Sequence, residues 1–272
     1  MTDAPMIALH GASLSRGGRL LVDDVSLDAR AGEVLAIMGE NGAGKSTLLR
    51  LLAGDLPPDR GEVLLDGRPL ATWSALAQAR RRAVMPQQSS LPFAFSAFEV
   101  VLLGRSPHDA GRPGDRDRAI AREAMRRTDA LQFSERSFQT LSGGERARVM
   151  LARAFAQVLR DPDAASDDAR PRALLLDEPS AALDIAHQHA AFAAIRALAA
   201  AEHVAVVTVL HDPNLVAMHA DRVALLRQGR LMATGSVDDT LTEALLSTCF
   251  SIGMKRLRHP TRDVPLLVAT TD

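Results

Sequence analysis

Apolar residues in the first third of the chain come in short blocks separated by glycine, proline and charge. Segments 6–14 (MIALHGASL) and 33–39 (EVLAIMG) read as strands, the second almost unbroken in apolar residues, as strands buried on both faces are. KSTLLRLLAG follows at once with helical spacing and is stopped by Gly54, Pro57 and Pro58. EVLLDG at 62–67 gives another strand, 73–82 a helical stretch, and AVMPQ a strand ending at Gln87. From about 89 to 159 the spacing turns helical, through AFSAFEVVLLGR, RAIAREAMRRTDAL and SGGERARVMLARAFAQVL, with almost no strand signal. Polar, acidic and Pro-bearing RDPDAASDDARPR at 160–172 suits a surface loop.

Alternation of strand and helix then returns. ALLLDE, a helix at 185–201, VAVVTVL, a short helix after Pro213, RVALLRQG and a helix near 240–250 follow in order. No internal repeat is visible, and 251–272 carries little periodicity, which leaves a docked tail and a mobile tail both open. The pattern predicts an α/β core made of 1–87 and 160–250, an inserted helical subdomain at 88–159, and a C-terminal tail at 251–272.

Composition narrows the classes. At 272 residues and 47% hydrophobic the chain holds ample material for one large α/β domain or a domain with a subdomain. A net charge of −1 supplies no overall basic excess for a phosphate backbone, so no nucleic-acid partner is expected. The single cysteine, Cys249, cannot form an internal disulfide and reads as a buried reduced thiol, which fits the cytosol. The start lacks the basic head and apolar run of a secretory signal, and the longest apolar runs fall far short of the roughly 20 residues that span a bilayer. Membrane association is therefore expected through a partner.

Lysine is used twice, at Lys45 and Lys255, against thirty arginines. Lys45 stands in GENGAGKST, which fits G-x-x-x-x-G-K-[ST] and lies between a buried strand and a helix, the context of a phosphate-binding loop. Gly39, Glu40, Asn41, Gly42, Ala43, Gly44, Lys45, Ser46 and Thr47 are the candidate nucleotide contacts. Glycines let backbone N–H groups turn inward around phosphate oxygens, and the helix start favours an anion. Lys45 reaches the β and γ phosphates, and Ser46 offers its hydroxyl to Mg²⁺. A slender ammonium suits this position better than a planar guanidinium. At an effective dielectric near 20, a charge pair at about 4 Å is worth roughly 4 kcal/mol before desolvation.

ALLLDEPSAALD supplies the second element. Its apolar start makes a buried strand, with Asp177 and Glu178 at the end where open parallel sheets bind ligands. Adjacent strand residues point to opposite faces, so the two carboxylates are expected to serve different roles. Asp177 is assigned to Mg²⁺ through water, and Glu178 to the attacking water as general base.

The third element, LSGGERARVMLARA, resembles the signature of the nucleotide-binding subunits of ATP-binding-cassette transporters, and the likeness runs from Leu14 to about Gly235. This resemblance implies a phosphate-loop NTPase core with a mostly parallel sheet, an antiparallel N-terminal β portion and an inserted helical subdomain. It implies ATP and Mg²⁺, and a homodimer in which Ser142, Gly143 and Gly144 serve the γ-phosphate bound by the other subunit. Gln87 matches the family's glutamine that contacts Mg²⁺ and the water, with Gln88 as its alternative. Asp184 matches the loop that crosses the dimer interface, and His211 in VLHDPN matches the histidine that holds the γ-phosphate. His187 and His189, two apart on a helix, face different directions and form no ligand pair. The family's adenine-stacking aromatic is missing: there is no tyrosine, and Arg16 stands in LSRGGRLL at that place. A guanidinium plane also stacks on a ring, so Arg16 is the candidate adenine contact.

Two tasks remain open: the motor of a membrane importer, and a soluble cassette ATPase of DNA repair or translation. The soluble relatives carry a long coiled coil or two cassettes in one chain, and neither is present. A small-molecule kinase with a phosphate loop would not account for LSGGE. SSLPFAFSAFEVVLLGRSPH resembles the corresponding region of importers for iron chelates, haem and cobalamin. There Phe93, Phe95 and Phe98 either line a groove for a permease helix or pack the helical subdomain. The acidic insertion before Ala173 and RHP at 258–260 are similar to haemin importers. The resemblance thus implies a peripheral ATPase on the cytoplasmic face of the inner membrane. It would sit on a two-subunit permease and work indirectly with a periplasmic haem-binding protein, with ferric siderophore or cobalamin as alternative cargo.

Overall fold

The computed structural model describes residues 4–87, 94–109, 111–161 and 171–270. Two sheets enclose one short helix. The first is antiparallel, in the order β2-β1-β4-β5, from β1 (Ile7–Arg16), β2 (Arg19–Ala29), β4 (Arg60–Leu65) and β5 (Arg68–Pro69). The second contains β3 (Val34–Met38), β6 (Arg82–Met85), β7 (Arg172–Asp177), β8 (Val204–Val209), β9 (Arg222–Arg227) and β10 (Arg230–Ser236). Its order is β10-β9-β3-β8-β7-β6, parallel except for the edge strand β10. The mostly parallel core and the antiparallel N-terminal sheet are both as the sequence implies.

Unbroken apolar runs in the central strands follow from burial on both faces. Leu35, Ile37, Ala173 and Leu175 face the core shared with the antiparallel sheet, while Val34, Ala36, Leu174 and Leu176 face a second core under the helices. Helix α1 (Lys45–Leu52) is wedged between the two sheets, so Leu48, Leu49, Leu51 and Leu52 are all buried. α2 is Ala75–Arg81, and β6 stops at Met85, short of the expected Gln87, because Pro86 cannot donate to the ladder.

Helices α3 (Ala97–Leu102), α4 (Asp115–Arg127) and α5 (Gly143–Val158) form the helical part. Phe95 and Phe98 pack against its core, with the Arg122 guanidinium 5.1 Å from the centre of the Phe98 ring; Phe93 and Gln88 lie outside the described residues. Arg172, read from sequence as the end of a surface loop, is instead 1% exposed. Its guanidinium donates to the carbonyls of Val158 and Leu159, and Arg105 donates to those of Ala156 and Leu159. Two buried arginines thus satisfy the last carbonyls of α5, where a cation also meets the negative helix end. The loop reading failed because a charge at a strand start looks like surface until its acceptors are known.

α6 (Ile185–Glu202), α7 (Pro213–His219), α8 (Val237–Thr240) and α9 (Glu243–Phe250) complete the helices; the single helix expected near 240–250 is divided, with Thr242 capping α9. Cys249 is buried with a free thiol. The tail is a docked hairpin of β11 (Gly253–Arg258) and β12 (Pro265–Thr270), with Met254 and Leu267 in the helical-side core. Among the described residues no helix is long and apolar enough to cross a membrane.

Candidate functional site

At the C-terminal ends of the parallel strands, the loops that follow β3, β6, β7 and β8 meet. The phosphate loop leaves β3 at Gly39, whose φ of 152° and contact with the neighbouring strand leave no room for a side chain: a Cβ would lie 2.1 Å from the Leu226 carbonyl oxygen. Lys45 is buried, and its ammonium donates to the carbonyls of Gly39 (2.8 Å) and Glu40 (2.9 Å). Burial pushes the Lys45 ammonium down from its ordinary value, opposed by the carboxylates of Glu178 and Asp177. A cation held within its own loop is positioned for an anion seated in that loop.

Strand parity decides the next contact. Asp177 shares the face of Ala173 and Leu175, the α1 side, and there Ser46 Oγ donates to Asp177 Oδ1 at 3.2 Å. Burial pushes the Asp177 carboxyl above its usual range, with Glu178 adding to the rise and the Ser46 hydroxyl opposing it. Glu178 then leaves the strand in a left-handed conformation, φ 50°. Its carboxylate accepts from Gln87 Nε2 at 2.8 Å and from His211 Nε2 at 2.6 Å. A carboxylate can only accept, so Nε2 of His211 carries the proton in this pair. Two residues far apart in sequence, Gln87 and His211, therefore converge on the Glu178 carboxylate, while Asp177 has Ser46 as its partner.

Other expected residues lie apart from this cluster. Ser142 caps α5 in a reciprocal box, accepting from Glu145 N–H while its own N–H donates to the Glu145 carboxylate at 2.7 Å. Gly143 and Gly144 open that helix beside Ala182, where a Cβ on Gly144 would come 3.2 Å from the Ala182 carbonyl oxygen. Ser142 and Gly143 are exposed, and among the described residues no hydrogen bond or ion pair joins Ser142–Glu145 to the phosphate loop. Asp184 is exposed and caps α6; the His187 N–H, then the His187 ring, hold its carboxyl below the usual range. His189 turns the other way, to His219 at 3.1 Å. Arg16, at the end of β1, donates to the Ser15 carbonyl and pairs with Asp59 at 3.3 Å. Asn214, passed over in VLHDPN, bonds the C-terminal hairpin; its place just after a capping Asp-Pro was visible in sequence, but its partner was not.

A metal-binding test follows from the donors. Among the described residues no three His, Cys, Asp or Glu are grouped to hold a metal by themselves. Ser46 and Asp177 offer hard oxygens at the mouth of the phosphate loop, which fits Mg²⁺, an ion bound by one or two protein oxygens together with substrate phosphates.

A phosphate loop, a strand-end carboxylate pair and a separate LSGGE helix start define a nucleotide-hydrolysing cassette. The family model described as ABC transporter matches residues 22–181, and the chain belongs to that family and is one of its ATPases. It is 49% identical over 263 residues to the hemin import ATP-binding protein HmuV of Gloeobacter violaceus, covering 97% of this chain and 94% of that protein. It is 44% identical to the protein of the same name from Pseudomonas putida, covering 97% and 99%. Among solved structures it resembles an inward-facing ABC transporter assigned to the metal-chelate type, with TM-score 0.80, 27% identity and 98% of each chain covered. A dimeric bacterial ABC transporter cassette superposes with TM-score 0.71 and 26% identity over 85% of this chain and 99% of that one.

Proposed function

We propose that this chain is the ATP-hydrolysing motor of a haem importer, working as a homodimer on the cytoplasmic face of the inner membrane against a two-subunit permease. The observation that carries the ATPase mechanism is the convergence of Gln87 and His211 on Glu178, beside Lys45, Ser46 and Asp177. Lys45 neutralises the β and γ phosphates. Ser46 and Asp177, with Gln87, would hold Mg²⁺, which would offset the negative charge of the phosphates. Glu178 takes the proton of the attacking water. Each Glu178 oxygen accepts one bond, from Gln87 or from His211, and keeps a lone pair for the water, and His211 would turn from Glu178 to reach the γ-phosphate. The exposed Ser142 and Gly143 support a site completed by a second copy, whose helix start would meet the γ-phosphate, with Asp184 at the same seam. Arg16 would stack on adenine after leaving Asp59.

Haem as cargo rests on the relatives named for hemin import that match over nearly the full chain. A periplasmic haem-binding protein would deliver it. The test is growth of a strain lacking this chain, with haemin or a ferric siderophore as sole iron source, complemented by the parent or Glu178→Gln. Loss on haemin alone, rescued only by the parent, supports the reading. Normal growth on haemin with no redundant importer moves the cargo to siderophore or cobalamin and leaves the ATPase intact.

A further inference from the structure

The C-terminal hairpin is fastened at both strands. On β11, the Arg256 N–H donates to Glu243 at 2.9 Å, the Met254 N–H donates to Ser247 at 2.9 Å, and Arg256 pairs with Asp238. On β12 a single side chain does the work: Asn214 Nδ2 donates to the Leu267 carbonyl at 3.0 Å, and Asn214 Oδ1 accepts from the Leu267 N–H at 2.8 Å. An amide bonded to both backbone groups of one residue imitates a neighbouring strand. Leu267 itself is 4% exposed and part of the core.

Asn214 is the second residue of α7, three after His211. Asp212 caps that helix, accepting from the N–H of Asn214 (2.8 Å) and of Leu215 (3.4 Å). Upstream, the Leu210 N–H donates to the Ile37 carbonyl at 3.1 Å. His211 and Asp212 thus form the only two links between a fixed strand end and a seven-residue helix. A helix this short has little rigidity of its own, so its first turn is set by what grips it. We propose that Asn214 is a positioning residue for His211: through it the C-terminal hairpin fixes where the imidazole sits relative to Glu178. This rests on the γ-phosphate role given to His211 above.

Asn214→Asp tests it without loosening α7. An acid at a helix N-terminus is favourable for the helix, and the isosteric side chain still accepts from Leu267 N–H. It loses the donor, however, and sets a carboxylate against the Leu267 carbonyl. With the full-length chain, ATP and Mg²⁺, we expect kcat to fall about tenfold with KM for ATP within about twofold, since the phosphate loop is untouched. In a His211→Ala background the same substitution should cost nothing further. In protein labelled at histidine with ¹⁵N, the His211 Nε2–H resonance, set by the bond to Glu178, should move while that of His10 on β1 stays. Unchanged kcat with an unmoved His211 resonance overturns the proposal, as does an equal penalty with and without His211. If His211→Ala alone keeps parental turnover, the role given to His211 fails instead, and the resonance alone judges the mechanical link. If it leaves too little turnover to measure, the resonance again decides.

Discussion

Two glycines in one motif should respond very differently to alanine. At Gly39 an added Cβ would lie 2.1 Å from the carbonyl oxygen of Leu226 and 3.1 Å from its carbonyl carbon. That is more than about 1 Å short of a normal contact. The obstacle is backbone of a core strand, and Leu226 is fully buried, so neither side can yield cheaply. Left-handed strain plus overpacking puts the cost of Gly39→Ala at about 3–5 kcal/mol. Gly42 has φ 78° but no atom within 4 Å of its added Cβ, so only the backbone preference is lost, about 1 kcal/mol. For a chain of this size about 2–4 °C of Tm accompanies each kcal/mol, giving drops of about 10 °C and about 3 °C respectively. The Gly39 carbonyl also accepts from Lys45, so ATP affinity should weaken in the first variant. Thermal melts with an ATP titration on both proteins check this. Melting points within about 2 °C of each other, or parental ATP binding by Gly39→Ala, would refute the steric argument.

Other consequences are as direct. Glu178→Gln should keep ATP binding and lose about 10²–10⁴-fold in turnover, while Lys45→Ala should lose nucleotide affinity by calorimetry; hydrolysis by Glu178→Gln within about twofold of the parent would remove it as base. Burial and the neighbouring Glu178 make the charge on Asp177 costly, and an amide would still accept from Ser46. Asp177→Asn should therefore melt higher than the parent yet lose Mg²⁺-dependent turnover, and a fall in Tm would contradict the charge argument. His219 is pushed down to about 4, first by burial and then by His189 and Arg196. Its folded value lies below the unfolded one, so its contribution is complete above about pH 6.5 and is lost as the unfolded chain takes up the proton towards pH 4. That is about 1–2 kcal/mol after solvent screening, and His219→Gln should flatten the fall in Tm between pH 7 and 5.

Much of the molecule was legible because its signals are local. A phosphate loop declares itself by glycines and one lysine at fixed spacing, and buried parallel strands by unbroken apolar runs. Where the signal was interrupted, elements were passed over. In β2 the left-handed Asp24 resets the alternation, leaving Val22 and Val25 both buried three positions apart, so no period-two pattern covers the strand. In the hairpin β11–β12 only Met254, Pro265 and Leu267 are buried, while the apolar Leu257 and Val268 are exposed, so apolar character does not mark the inward face.

By itself, then, the sequence determined the α/β class, the phosphate loop, the acidic strand end and the LSGGE helix start, since each is written in a few adjacent residues. Tertiary structure alone decided that Gln87 and His211 meet on Glu178, that Arg105 and Arg172 close the end of α5, and that Asn214 fastens the tail to the helix behind His211. These contacts join residues from about 14 to about 90 positions apart. What brings them together is the order of strands in the sheet and the packing of helices on it, and no local spacing records that order.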